Sequence, residues 1–476
     1  MKRIYYFALV MMASPWLAFA QQPQGDSFTL EQCIEYALEN AVSVKNAVLD
    51  ERIATAKVRE TVGIGLPQID GSVAVQHNQQ LPRFFGQFTS TNPFLGGQNI
   101  PGVEEGDVVA LQNFFQLKSS GNAALQINQI IFNGSYLVGL QASNAFKDLS
   151  VKTTGQTKEQ LIANVTKAFY MALINKERIT LFDNNIARVD TLLRNTKALN
   201  QNGFAEGIDV DRIQVALNNL TTERNKFIKL QELSLELLKF QMNYPMTETL
   251  TLSGTMNEEM AAVDLDNYLN EWDYKNRWDY QVLETNRKLQ SLNLKNTYAA
   301  NLPSLVAFAN MGYQTQSQNV GGIFKTNTGI EDNGQIGPDK WYSFSSFGVS
   351  LNIPIFSGLQ RNYRIQQEKL SLQKVENGLK NFRSGIDLEI KQATIMYQNA
   401  MESLQSQQRN MELAKNVARV TKVKYEQGVG SNIEVIDAES SLKEAQINYY
   451  NALYDALVAK TDLDKAFGKI LPISNN

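Results

Sequence analysis

The chain has 476 residues, a formal net charge of −3, a single histidine (His77) and a single cysteine (Cys33). That inventory leaves no Ser-His-Asp, Cys-His or zinc-ligand set to assemble and no intrachain disulfide. A mildly acidic chain without a basic block also argues against nucleic acid as a partner.

Residues 1–20 read as a secretory signal: Lys2 and Arg3, an apolar stretch from Ile4 to Met12, and Ala18-Phe19-Ala20 before Gln21. Position 21 is not cysteine, so nothing points to a lipid there. Without Lys2 and Arg3 the balance is 43 basic against 48 acidic residues, a net charge of −5. No later stretch holds 18 consecutive apolar residues, so no transmembrane helix is expected, although alternating barrel strands escape such a search.

Leu30, Cys33, Ile34, Ala37 and Leu38 mark an amphipathic helix in which Cys33 acts as a small buried apolar residue. Leu66-Pro67 then opens a strand at about 67–80, with Ile69, Gly71, Val73 and Val75 facing one way and Asp70, Ser72, Ala74 and Gln76 the other. His77 continues the first parity. A long polar segment, Leu81 to Gly121, leads to a return strand at about 121–133 and the corner Ile131-Phe132-Asn133-Gly134. From Ser135 to about Asn200 the pattern is helical, and at 1.5 Å per residue such a rod would measure about 100 Å. Asn202-Gly203 ends it, and the seam Val210, Ile213, Leu217, Leu220, Arg224, Phe227, Gln231, Ser234, Leu238 marks the next helix.

The order then repeats. Leu302-Pro303 opens a strand at about 303–315, in which Val306 and Phe308 fall on the nominally polar side. Gln314 to Lys340 is polar, and the Glu331-Asp332-Asn333-Gly334 cluster within it lacks calcium-loop spacing and reads as a solvated turn. A strand at about 341–355 sets Phe347, Val349, Leu351 and Ile353 against Ser346, Gly348, Ser350 and Asn352. Ile355-Phe356-Ser357-Gly358 repeats the first corner after 224 residues, and Leu302-Pro303 repeats Leu66-Pro67 after 236. A second rod runs from Leu359 to about Gln427, with Gln427-Gly428 at its end. A final helix carries the seam Val435, Ala438, Leu442, Ala445, Tyr449, Ala452, Ala456, Ala459, Leu463, whose alanines admit close packing. No proline lies between Pro101 and Pro245 or between Pro354 and Pro472, as long helices require.

Three landmarks in one order at nearly one offset mean an internal duplication, with repeats at 21–245 and 246–476. Four strands with one apolar and one polar face suit a barrel wall. Four cannot close one, and open edges cannot stand in hydrocarbon, so several chains must share the wall.

The two turns carry the candidate site. Gly203 and Gly428 supply a left-handed position that ends a helix. Asp209 and Glu434 fall in the next helix's first turn, where the macrodipole favours a carboxylate. Asp437 lies one turn beyond Glu434 on the same face. Two roles fit Glu434, the structural one just given and membership of an acidic ring at a constriction; for Asp437 the ring is the better fit.

Phe28-Thr29-Leu30-Glu31-Gln32, both Leu-Pro entries, both Ile-Phe-x-Gly corners, and Tyr425-Glu426-Gln427-Gly428 with Ile433-Glu434-Val435-Ile436-Asp437-Ala438 together resemble the TolC-like outer-membrane efflux proteins over essentially the whole mature chain. The resemblance implies a mixed α/β membrane protein: a homotrimer with a twelve-stranded outer-membrane β-barrel, four strands per chain, continued by a long periplasmic α-helical coiled-coil barrel. It implies a passive exit duct of a tripartite efflux or type I secretion system, set in outer-membrane lipid, opened by a periplasmic adaptor and fed by an inner-membrane pump. It implies no enzyme activity and no cofactor or metal. Glu434 and Asp437 match the acidic aperture rings, and Tyr425 and Asp209 match gate residues that bond across the closed tip. An arginine of that lock is replaced here by Gly430. The substrate is not legible. The competing reading is a soluble periplasmic coiled-coil scaffold, and a carboxylate-only hydrolase is a distant third.

Overall fold

A computed structural model describes residues 27–89, 91, 101–111, 113, 115–325 and 340–471; the proposed leader and the 331–334 cluster lie outside them. In chain order the elements are α1 (Leu30–Asn40), α2 (Val42–Ile64), β1 (Gln68–His77), β2 (Phe84–Gln87), β3 (Val108–Leu111), β4 (Ser119–Phe132), α3 (Gly134–Gln201) and α4 (Gly207–Met242). They continue with α5 (Leu265–Asn270), α6 (Trp278–Ala299), β5 (Ser304–Ser317), α7 (Val320–Ile323), β6 (Tyr342–Asn352), α8 (Gln360–Glu426) and α9 (Asn432–Ala466). Among the described residues no helix is long and apolar enough to cross a membrane.

The chain divides into two compact units, one of Met1–Leu49, Lys152–Gln281 and Asn381–Asn476, the other of Asp50–Val151 and Val282–Lys380. In the first, Thr29 opens α1 with a capping box closed by Gln32, which satisfies two otherwise orphaned amide donors. The apolar stripe of α1 packs Cys33 and Ala37 against Val165, Phe169 and Leu173 of α3, Leu238 of α4 and Leu453 and Leu457 of α9. Each such fully buried leucine or phenylalanine contributes about 1.5–3 kcal/mol. Burial and the nearby Glu31 push the Cys33 thiol up to about 12, so it behaves as an inert packing residue. Further along, Phe182 stacks on Phe227 at 5.3 Å, and Ile213 and Leu220 complete that layer. Along α9, Val435, Ala438, Leu442, Ala452, Ala456 and Leu463 are buried, so the small-residue seam faces neighbouring helices.

The second unit holds the antiparallel sheet β1-β4-β5-β6, in which β1 and β6 are edges. The two Ile-Phe-x-Gly corners differ in three dimensions despite their shared sequence. β4 runs through Phe132 directly into α3, and a side chain at Gly134 would meet the Ala299 carbonyl oxygen at 2.9 Å. β6 stops at Asn352, two residues before Pro354, which has no amide to donate to a ladder. Gly358 and Leu359 then take φ of +60° and +65° to start α8.

Candidate functional site

The sheet separates its chemistry by face, because antiparallel register puts directly opposed residues on one side. One row joins Ile69, Ile127, Ala309 and Phe347; the next residue along gives Asp70, Gln126, Asn310 and Ser346. Phe347 is 90% exposed and Val73 79%, with Ile69, Val349 and Leu351 also open. Contiguous apolar area of this kind needs a cover. Phe308 sits in the polar rows because it opposes Gly348, where a side chain would come within 2.8 Å of the Phe308 ring. His77 ends β1 and shares a 2.8 Å hydrogen bond with Ser119 Oγ across the strand pair.

The helix turns lie in the first unit. Gly203 and Gly428 take φ of +81° and +73°, and no atom stands within 4 Å of a β-carbon at either, so backbone conformation alone demands glycine there. Glu434 stands in the first turn of α9, its amide donating to Ser431 Oγ at 3.3 Å, and its side chain is exposed. α4 begins differently: Glu206 precedes it without a side-chain cap, and Asp209 in its first turn pairs with Arg212 at 3.6 Å. The turns meet where Asn432 Nδ2 donates to the Asp209 carbonyl oxygen at 3.2 Å. Asp437 borders a groove of about 570 Å³ whose walls include Ile208, Val215, Ile433 and Ile436. Among the described residues Tyr425 and Asp209 are not hydrogen-bonded to each other. The Tyr425 hydroxyl is 3.2 Å from Thr196 Oγ1 instead, so its partner within one chain is on α3.

A ladder of polar contacts that sequence reading missed fastens α3 to α9. Lys167 meets Asp462 at 2.5 Å, Arg178 donates to Asn451, Asn185 Nδ2 donates to Gln446 Oε1 at 3.2 Å, and Arg188 Nε meets Glu439 at 3.0 Å. Every cation lies on α3 and every acceptor on α9, in reversed order, as antiparallel helices require. The signal was present as residues spaced between about one and three helical turns apart on both helices. Its meaning appears only once the two helices are known to be neighbours.

The architecture is that of an outer-membrane channel. CusC, solved in a study of conformational changes accompanying folding and transmembrane channel formation, superposes with a TM-score of 0.70 at 14% identity, over 92% of this chain and 91% of that one. The CmeC outer membrane channel of Campylobacter jejuni gives a TM-score of 0.68 at 17% identity, over 94% and 87%. In sequence, outer membrane protein TolC of Vibrio cholerae serotype O1 (strain ATCC 39315 / El Tor Inaba N16961) is 20% identical over 353 residues, 73% of this chain and 77% of that protein. Residues 275–469 match the family model of outer membrane efflux proteins. The chain is thus similar to the TolC-like outer-membrane efflux proteins, and these likenesses support a channel of the outer membrane rather than an enzyme. The soluble-scaffold alternative is thereby set aside.

Proposed function

We propose that three copies of this chain close one duct, with the sheets forming a twelve-stranded barrel and the long helices forming its periplasmic continuation. The observation that carries this reading is that, among the described residues, β1 and β6 stand as the sheet's edges beside an exposed apolar face. Backbone groups at an open edge cannot remain unsatisfied in hydrocarbon, so each edge must meet another chain's. A parallel need exists on the helices, where Ile208, Val215, Leu233 and Leu237 of α4 and Leu388, Ile395, Leu413 and Val417 of α8 stand exposed. Helix, strand, strand, long helix and helix recur in this order in residues 21–245 and 246–476, with the β2–β3 hairpin in one and α7 in the other between the sheet strands, which supports duplication as the origin of the four strands, each repeat supplying two.

In this reading the chain is the passive exit of a tripartite efflux or type I secretion system, and energy enters through an inner-membrane pump and a periplasmic adaptor. The aperture lies at the turns after Gly203 and Gly428. Three-fold repetition of Glu434 and Asp437 makes two acidic rings that favour cations. Tyr425, through Thr196, and Asp209, through Asn432, belong to the contacts that hold the turns in place. Detergent-extracted protein run unheated and heated on a gel should migrate as a heat-sensitive trimer; extraction into plain buffer, or a monomer in both lanes, overturns the duct. Glu434→Asn with Asp437→Asn should reduce cation preference in planar bilayers, and unchanged selectivity removes the rings while leaving the duct.

A further inference from the structure

Where α6 begins, the first unit contains a closely packed junction that the channel function does not use. The Trp278 ring lies directly on α3 at Gly155, where any β-carbon would overlap it, and Trp278 Nε1 donates to the Leu471 carbonyl at 2.9 Å. Gly468, at φ +68°, leaves equally little room, since a side chain there would collide with the Asn276 carbonyl. Beside them the Arg277 guanidinium is 6% exposed and binds Asp279 at 2.6 Å, Glu389 of α8 at 2.7 Å and the Ala466 carbonyl of α9 at 3.2 Å.

One turn along α3 from Gly155, Glu159 is 5% exposed, and its Oε1 has no hydrogen-bond partner among the described residues. Its charged surroundings are Asp279 and Arg277 at the start of α6, Lys465 of α9 and Glu389 of α8. Arg277 is committed to the other two carboxylates, and Lys465 Nζ donates to Gln160 Oε1 at 2.6 Å. An ionised Glu159 would thus be a third carboxylate around one guanidinium, largely desolvated and with no donor on Oε1, which is strongly unfavourable. A neutral carboxyl removes that cost.

We propose that Glu159 is a proton-sensitive latch, neutral when α6, α8 and the end of α9 pack on α3, and loosening that junction when it ionises. Desolvation first, then Asp279, raises its carboxyl from 4.5 to about 7. The folded junction therefore holds a proton that the opened one releases. Stability is greatest below the ordinary carboxylate value and is lost as pH rises through about 7.

Hydrogen exchange on the full-length detergent-solubilised protein, followed by mass spectrometry and corrected for intrinsic rates, tests this. For peptides covering 272–281 and 462–471, the opening constant should rise by one to two orders of magnitude between pH 5 and 8. Opening gains about tenfold for each tenfold fall in proton concentration over which the opened junction has lost its proton and the packed one has kept it. Glu159→Gln, which keeps the volume and removes the charge, should hold those peptides at the protected level at both pH values. A pH-independent wild type, or an equal pH response in Glu159→Gln, overturns the proposal. So does a Glu159→Gln protein loosened at both pH values, which would mean that the carboxylate itself holds the junction. Should the variant fail to assemble, infrared difference spectra of the wild type decide: a protonated-carboxyl band that titrates near pH 7 supports the latch, and its absence overturns it.

Discussion

Two adjacent lysine substitutions test which face of the sheet meets lipid. Phe347 is the sixth of eleven residues in β6, hence close to mid-strand, and its row is Ile69, Ile127 and Ala309. Phe347→Lys puts a charge near the bilayer midplane, at about 2–4 kcal/mol, and forfeits about 2 kcal/mol from the ring's transfer out of water. The sum, about 4–6 kcal/mol per chain, is three to four orders of magnitude in the folding equilibrium. Ser346→Lys, one residue away, enters the row of Asn310, Gln126 and Asp70. Three strand spacings of about 4.8 Å separate it from Asp70, too far for a strong pair in water, so the change should cost under about 1 kcal/mol. Folding into lipid vesicles, read as heat-modifiable migration across a urea series, measures both. Equal costs, or a larger cost for Ser346→Lys, would refute the assignment of lipid to the Phe347 face.

Arg188→Met should destabilise the first unit by about 2–3 kcal/mol, because Glu439, only 11% exposed, loses its charge partner. Adding Glu439→Gln should recover part of that loss, whereas strictly additive effects in denaturant titrations would deny the pair any coupling. Gly428→Ala forces a side chain into φ of +73° and should cost about 1–2 kcal/mol. Gly207→Ala, at the start of α4 with open space around it, serves as the control and should be neutral or stabilising in thermal melts.

What sequence alone determines here is periodicity. The helical pattern from Ser135 to about Asn200 corresponds to α3, Gly134–Gln201, and that from Leu359 to about Gln427 to α8, Gln360–Glu426. Proline exclusion and spacing of apolar residues are local properties, and the chain carries them wherever it goes. The burial of Cys33 follows likewise from its place in a short amphipathic stripe. The left-handed turns follow from Gly203 and Gly428, because few other residues adopt that backbone without strain.

Tertiary structure decides whatever depends on which helix becomes whose neighbour. Identical Ile-Phe-x-Gly letters make a continuous strand-to-helix passage at Gly134 and an irregular, left-handed one at Gly358, because Pro354 removes a ladder donor only in the second. Phe308 can occupy the polar rows only because register sets Gly348 opposite. Tyr425 finds Thr196 rather than Asp209, and Arg188 finds Glu439, from positions more than 200 residues apart. The polar groups that meet at such crossings have no periodicity of their own. Glu159 reads as one more acidic residue on a long helix until Trp278 is folded onto Gly155 one turn away and Arg277 and Asp279 are brought beside it, leaving it 5% exposed.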